Sequence, residues 1–308
     1  MNTTENAALP ECVPHLATSE ILLHKLLVAV DFSDQSSRAL QEAITISRCF
    51  GSEILLVHAV TSTVYGAGME PVPIAPFEMG LEVATARMAD LIHNETAFKE
   101  IHHREFVAYA GAIDLVQRVA EENKVDLVVA GSRGAGGLKL LALGSVAESI
   151  LKVVSCPVLI VGPHCHQESH PFRSILFATD LDPTGLRSAQ FATSFAERFR
   201  AKLTLLHVVD KKSRRSGVQP ELVEDNIRKE LARLLPADLS TYTSADIRVE
   251  HGKAGDIIPS TASALGASLI VIGFGRHCAL SHHSPSSTLS QVIREAPCPV
   301  LSVRSHFV

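Results

Sequence analysis

The chain lacks any excess of positive charge: 28 lysines and arginines stand against 33 aspartates and glutamates, a formal net charge of −5. That excludes the basic footprint of a nucleic-acid-binding protein. An anion would have to be held locally, by backbone N–H groups or a few placed cations. None of the six cysteines (Cys12, Cys49, Cys156, Cys165, Cys278, Cys298) forms a CxxC pair. Scattered in a chain of 308 residues, they read as reduced thiols, not a disulfide framework. No apolar run approaches the ~20 residues that a membrane helix needs. The opening stretch, MNTTENAALPECVPHLATSE, has neither the basic nor the apolar region of a secretory signal. Residues 1–22 are therefore read as a flexible leader and the compartment as the cytoplasm, with no membrane or nucleic-acid partner. What remains is an ordinary globular composition, 46% hydrophobic and 20% charged.

The chain repeats itself. KLLVAVDFSDQSSRALQEAITISRCFGSEILLVHAV, from Lys25, matches SILFATDLDPTGLRSAQFATSFAERFRAKLTLLHVV, from Ser174. Asp31 falls on Asp180, Arg38 on Arg187, Phe50 on Phe199 and His58 on His207. Further on, VDLVVAGSRG pairs with ASLIVIGFGR, and SILKVVSCPVLIV with QVIREAPCPVLSV, which puts Gly131 on Gly273 and Cys156 on Cys298. Such self-similarity predicts two copies of one domain. The boundaries expected are 23–162 and 172–308, joined by a polar linker at 163–171.

Within each copy the short runs LLVAV, EILLVHAV, DLVVAG and PVLIVG are β-branched and almost wholly apolar, as strands covered on both faces are. Helical periods lie between them. Leu40, Ala43, Ile44 and Phe50 recur on one face of the first, which Ser33 or Asp34 can cap. Val116, Val119 and Ala120 do so in AIDLVQRVAEEN. The pattern predicts an α/β fold, a doubly wound Rossmann-like sheet in each copy. TSTVYGAGMEPVPIAPFEMG, Thr61–Gly80, with three prolines, reads as a long loop.

GSRGAGGLKLLALGS, Gly131–Ser145, holds five glycines between a buried strand and a helix. No Lys-Ser/Thr follows the glycines, so this is not a Walker A loop, nor is it GxGxxG. The physics is shared nonetheless. Glycines permit positive φ and close approach of a ligand to the backbone. Successive N–H groups can form an anion nest, and the amides that open the helix near Ser145 add the positive end of its dipole. Ser145 can cap that helix and donate its hydroxyl to a ligand oxygen. Arg133 and Lys139 are the nearby cations.

The spacing G-x-x-G-x9-G-S, with the strand end VAVDFS and the later CPVLIV, resembles the nucleotide-binding signature of the universal stress protein family. The resemblance implies five parallel strands per copy in the order 3-2-1-4-5, with a ligand crevice where strands 1 and 4 part. It implies ATP as the ligand, Mg²⁺ riding on the phosphates, Asp31 at the ribose or base, and Ala59 at the adenine. It also implies Ala130 and Gly131 beside the sugar and α-phosphate, with Gly134, Gly144, Ser145 and Val146 around the phosphates. The second copy departs: Arg276 replaces Gly134, Ser286 replaces Gly144, and Ser287 keeps the place of Ser145. The expectation is an ATP-binding stress-response or signalling protein with one competent site, in the first copy. The alternatives are a slow ATP hydrolase or phosphotransfer enzyme and a structural dimerisation module that binds no nucleotide. The resemblance also implies that the last strands of the two copies pair within the chain, giving a pseudo-dimer. A protein partner and a homodimer are left open.

Other features read more plainly. No nucleophile–base–orienter set stands near the glycines. Asp31 can instead serve as a helix cap. His58 and His207 read as core histidines, Cys156 and Cys298 as small buried hydrophobes. HCHQESH (His164–His170) and HCALSHH (His277–His283) lack a structural zinc spacing and read as solvated loops.

Overall fold

A computed structural model describes residues 21–61, 75–133, 143–165, 172–181, 185–210, 220–236, 245–274 and 288–304. All of the predicted leader but its last two residues lies outside them. The first half contains β1 (Lys25–Ala29), α1 (Asp34–Phe50), β2 (Glu53–Val60), α2 (Ala75–Asn94), a 3₁₀ turn (Thr96–Lys99), β3 (His103–Tyr109), α3 (Ala112–Asn123), β4 (Leu127–Gly131), α4 (Ser145–Val153) and β5 (Val158–Val161). The second contains β6 (Ser174–Ala178), α5 (Leu186–Phe199), β7 (Lys202–Val209), α6 (Pro220–Arg233), β8 (Ala245–His251), α7 (Ala254–Leu265), β9 (Leu269–Phe274), α8 (Thr288–Glu295) and β10 (Val300–Arg304).

The strands form one ten-stranded sheet in the order β3-β2-β1-β4-β5-β10-β9-β6-β7-β8. Each half therefore has the 3-2-1-4-5 order, mirrored about its centre. Pairing is parallel within the halves, as at β1–β4 and β6–β9. It is antiparallel where β5 meets β10, with Val300 opposite Ile160 and Ser302 opposite Val158. The last strands thus join within the chain, as the resemblance implies.

Local chemistry sets the elements. Ser33 caps α1, its hydroxyl accepting from the Ser36 N–H at 3.2 Å, and Gly51 ends the helix in left-handed geometry at φ 73°. β4 is apolar throughout, and Leu127, Val128 and Val129 are fully buried because helices cover both faces. One core layer holds Leu40, Ile44, Met88 and Phe195; the other holds Val116, Ile150, Ile258 and Val292.

Three expectations change. Thr61–Gly80 is not all loop, since α2 begins at Ala75. Pro76 lies in its first turn, where a missing N–H costs little. Cys165, expected in a solvated loop, is buried; its sulfur accepts the Gly162 N–H at 3.2 Å. Its neighbours His166 and His170, like His277–His283, lie outside the described residues. Cys156 is half-buried and not a full core residue as Cys298 is, though desolvation still pushes its thiol up to about 11.

At the joint Phe172 is fully buried with φ 61°. Its ring meets Phe199 at 4.9 Å and Phe195 at 6.0 Å between centroids. Phe50 and Phe199, equivalent in the two copies, face each other at 6.3 Å. Among the described residues no helix is long and apolar enough to cross a membrane.

Candidate functional site

The switch of strand order lies between β1 and β4. From there α1 packs in one core layer and α4 in the other, so the two connections diverge and open a crevice at the carboxyl ends of the strands.

One wall begins where β1 ends. The Val30 N–H donates to the Val57 carbonyl at 2.8 Å, and the Val30 carbonyl faces His58 Nδ1 at 2.7 Å. A carbonyl only accepts, so Nδ1 carries the proton. His58 thus clips the end of β2 to the end of β1. Asp31 follows, half-buried. Its Oδ1 accepts from the Ser33 N–H at 3.0 Å and the Ser33 hydroxyl at 2.6 Å. The capping alternative for Asp31 is therefore met indirectly: Ser33 is the cap and Asp31 orients it. Phe32 takes φ 60° between them. Its ring lies 4.6 Å from that of His58, under the Arg87 guanidinium at 4.2 Å. The sequence does not point to this rim cation, because the stretch after Gly80 carries no assigned element there.

The opposite wall is the end of β4. A Cβ on Gly131 would stand 3.0 Å from Gln35 Cβ and 3.1 Å from the Gln35 backbone carbon. Ser132 continues, its N–H donating to the Val161 carbonyl at 2.9 Å and its hydroxyl to Gln35 Oε1 at 3.1 Å. Gly144 returns the chain to this point. Its N–H donates to the Ser132 carbonyl at 2.8 Å, and a Cβ there would lie 2.9 Å from that oxygen. Neither glycine has positive φ. The expected conformational role of these two is thus corrected: they are small because backbone passes close by. Gly134 and Lys139 lie outside the described residues.

Gly144 is the N-cap of α4 and brings no side-chain cap bond. Ser145 is consequently the first helical residue, exposed, and not the cap expected of it. The amides of Ser145, Val146 and Ala147 lie in the first turn and have no partner within the helix. They carry the positive end of its dipole.

Between the walls the sheet presents small side chains. Ala29 pairs with Ala130, and Ala59 with Ala108. Ala29, Ala59, Ala108 and Ala130 all belong to the layer that holds α3 and α4, with Val57 beside Ala29 on β2, so alanine methyls recur near the carboxyl end of that face. Asp31 stands two residues beyond Ala29. The part of Ala108 was not read from the sequence, because β3 was not.

The second half repeats the frame with other side chains. His207 Nδ1 meets the Thr179 carbonyl at 2.9 Å, and Leu181 takes φ 62° where Phe32 takes 60°. The equivalent pairs are Ala178 with Ile272 and Val208 with Glu250. Asp180 is exposed. Arg276, Ser286 and Ser287 lie outside the described residues.

The universal stress protein family model matches residues 23–162 and 171–304. Universal stress protein YxiE of Bacillus subtilis is 31% identical over 147 residues, 46% of this chain and 99% of its own length. A universal stress protein of Mycolicibacterium smegmatis is 26% identical over 292 residues, 91% of this chain and 96% of its own. The crystal structure of a universal stress protein from Archaeoglobus fulgidus superposes with a TM-score of 0.67 at 17% identity, covering 92% of this chain and 98% of that one, which is a likeness of fold.

Proposed function

The chain belongs to the universal stress protein family, and we propose that it is a stress-response or signalling protein that binds ATP in the crevice between β1 and β4. One observation carries the reading: the first-turn amides of α4, which have no partner within the helix, open the same layer that holds alanines near the carboxyl ends of β1, β2, β3 and β4. The amides suit a chain of phosphates, and the alanine face leaves room for a flat base. In this reading Asp31 accepts from the ribose or base, and Ala59 offers backbone to the adenine. Ala130 and Gly131 flank the sugar and α-phosphate. Gly134, Gly144, Ser145 and Val146 would cradle the phosphates, which would carry Mg²⁺. Keeping the carboxylate at the nucleoside end spares it repulsion from the phosphates.

Two features support a single site. Arg276 and Ser286 stand where the first copy has Gly134 and Gly144. The second half also carries Val208, Glu250 and Ile272 where the first has Ala59, Ala108 and Ala130. Equilibrium dialysis of the full chain should count one ATP, lost in Gly134→Arg. Two tight sites would refute the single-site reading; none, together with no adenylate released on denaturation, would refute nucleotide binding. Turnover of labelled ATP by wild type but not Gly134→Arg would move the reading to a hydrolase.

A further inference from the structure

The helix α4 has nine residues, a length of about 13 Å, and its ends meet different halves of the molecule. Its first turn opens on the front crevice. Its last turn is met by Arg304, the final residue of β10, whose Nη2 donates to the Leu151 carbonyl at 2.6 Å and the Lys152 carbonyl at 2.9 Å. The last carbonyls of a helix have no partner within it and bear the negative end of its dipole. Val154 N–H takes the Ile150 carbonyl at 3.1 Å, and Arg304 takes the next two. Burial pulls the guanidinium's pKa below its ordinary value, so this charge has given up part of its hydration to sit there.

The equivalent contact on the other side is different. Aligning Cys156 with Cys298 puts Gly162 where Arg304 stands and Ile293 where Leu151 stands. A Cβ on Gly162 would lie 2.8 Å from the Ile293 carbonyl oxygen. Bare backbone therefore abuts the end of α8 at the place where a guanidinium grips the end of α4.

We propose that Arg304 is a positioning residue for the front crevice, supplied by the back half: it fixes α4 so that the first-turn amides stand ready for an anionic ligand. The inference rests on the nucleotide reading above. Ligand and guanidinium hold opposite ends of one short, rigid element. Each therefore favours the same placement of it, and the coupling is reciprocal.

Titration calorimetry with ATP on the full chain tests this. Arg304→Ala should bind about tenfold more weakly than wild type, and Arg304→Lys, which keeps a cation at the carbonyls, should retain most of the affinity. An Ala variant that binds ATP as wild type does overturns the positioning role and leaves the nucleotide reading intact. A wild type that binds none overturns both. If the Ala variant does not fold, hydrogen exchange of the wild type decides. ATP should slow exchange at the Val153 and Val154 amides as well as at Ser145–Ala147, and leave Glu295 and Ala296 unchanged. Protection confined to the first turn overturns the proposal.

Discussion

The two crevices share a skeleton and differ in its lining. Both have a histidine clipped to the end of the central strand, His58 at 2.7 Å and His207 at 2.9 Å. Both then turn through a residue with φ near 60°, Phe32 and Leu181. The divergence begins on the face that looks toward α3 and α4, or α7 and α8. There the front half pairs alanine with alanine, while the back half pairs Ala178 with Ile272 and Val208 with Glu250. The histidine clips and the turns are therefore shared where the side chains beside them are not. The contacts that make the fold and those that make the site occupy different positions, so the duplicated copies were able to change one without losing the other.

Transplanting the lining is the sharpest way to break this comparison. Ala59→Val with Ala108→Glu gives the front half the back half's pair. Filling the space and adding a carboxylate should weaken ATP binding by about 100-fold, as steric exclusion from a fitted site does. Both residues lie near the solvent end of their strands, so the melting temperature should change little; calorimetric affinity alongside thermal unfolding checks both. Unchanged affinity would mean that the alanine face is not where the base lies.

Glycine positions sharpen the comparison next. Gly131→Ala places a Cβ against the Gln35 backbone and should cost about 1–3 kcal/mol as overpacking does, read from a urea midpoint. Gly273→Ala meets the buried Ser188 side chain at closer range; its hydroxyl can turn away only by giving up the bond to the Gly185 carbonyl, so the loss should be at least as large. A smaller loss at Gly273 would mean that the Ser188 side chain yields freely.

The smallest effect concerns the joint. Ser302 is buried in β10, and among the described residues its hydroxyl has no partner, at the position where β5 has Ile160. Removing an unpaired buried hydroxyl relieves its desolvation cost. Ser302→Ala should therefore stabilise the chain by about 1 kcal/mol, seen as a higher urea midpoint. A loss of stability would show that the hydroxyl is satisfied by water.

Much of the architecture was legible because it is written in period and repetition. Buried parallel strands are continuous apolar runs, and β1, β2, β4 and β5 were visible as such. β3 was not. It is an edge strand, exposed at Arg104, Glu105 and Tyr109 and half-buried elsewhere, so HREFVAY does not look like a core strand. The start of α2 was hidden by Pro73 and Pro76, which argue for loop until a helix start is known to lie at Ala75. At the site, the spacing that brought Asp31, Gly131 and Gly144 to notice was sequence-level. The reason for two of them was not. Gly131 and Gly144 are small because α1 stands against the first and the chain at Ser132 and Arg133 against the second, and no sequence pattern reports which segments will come that close.

By itself, then, the sequence determined the duplicated α/β units, the strand ends that bound the crevice and the loss of glycines in the second copy. All of these depend on residue type and spacing along the chain. Tertiary structure alone decided that Ala108 joins Ala59 on one face and that Cys165 and Phe172 are buried at the joint. It also decided that Arg304 reaches from the last strand to the end of α4, 152 residues from Lys152. Those facts turn on which segments meet in space, and proximity across the sheet is set by packing the whole chain at once.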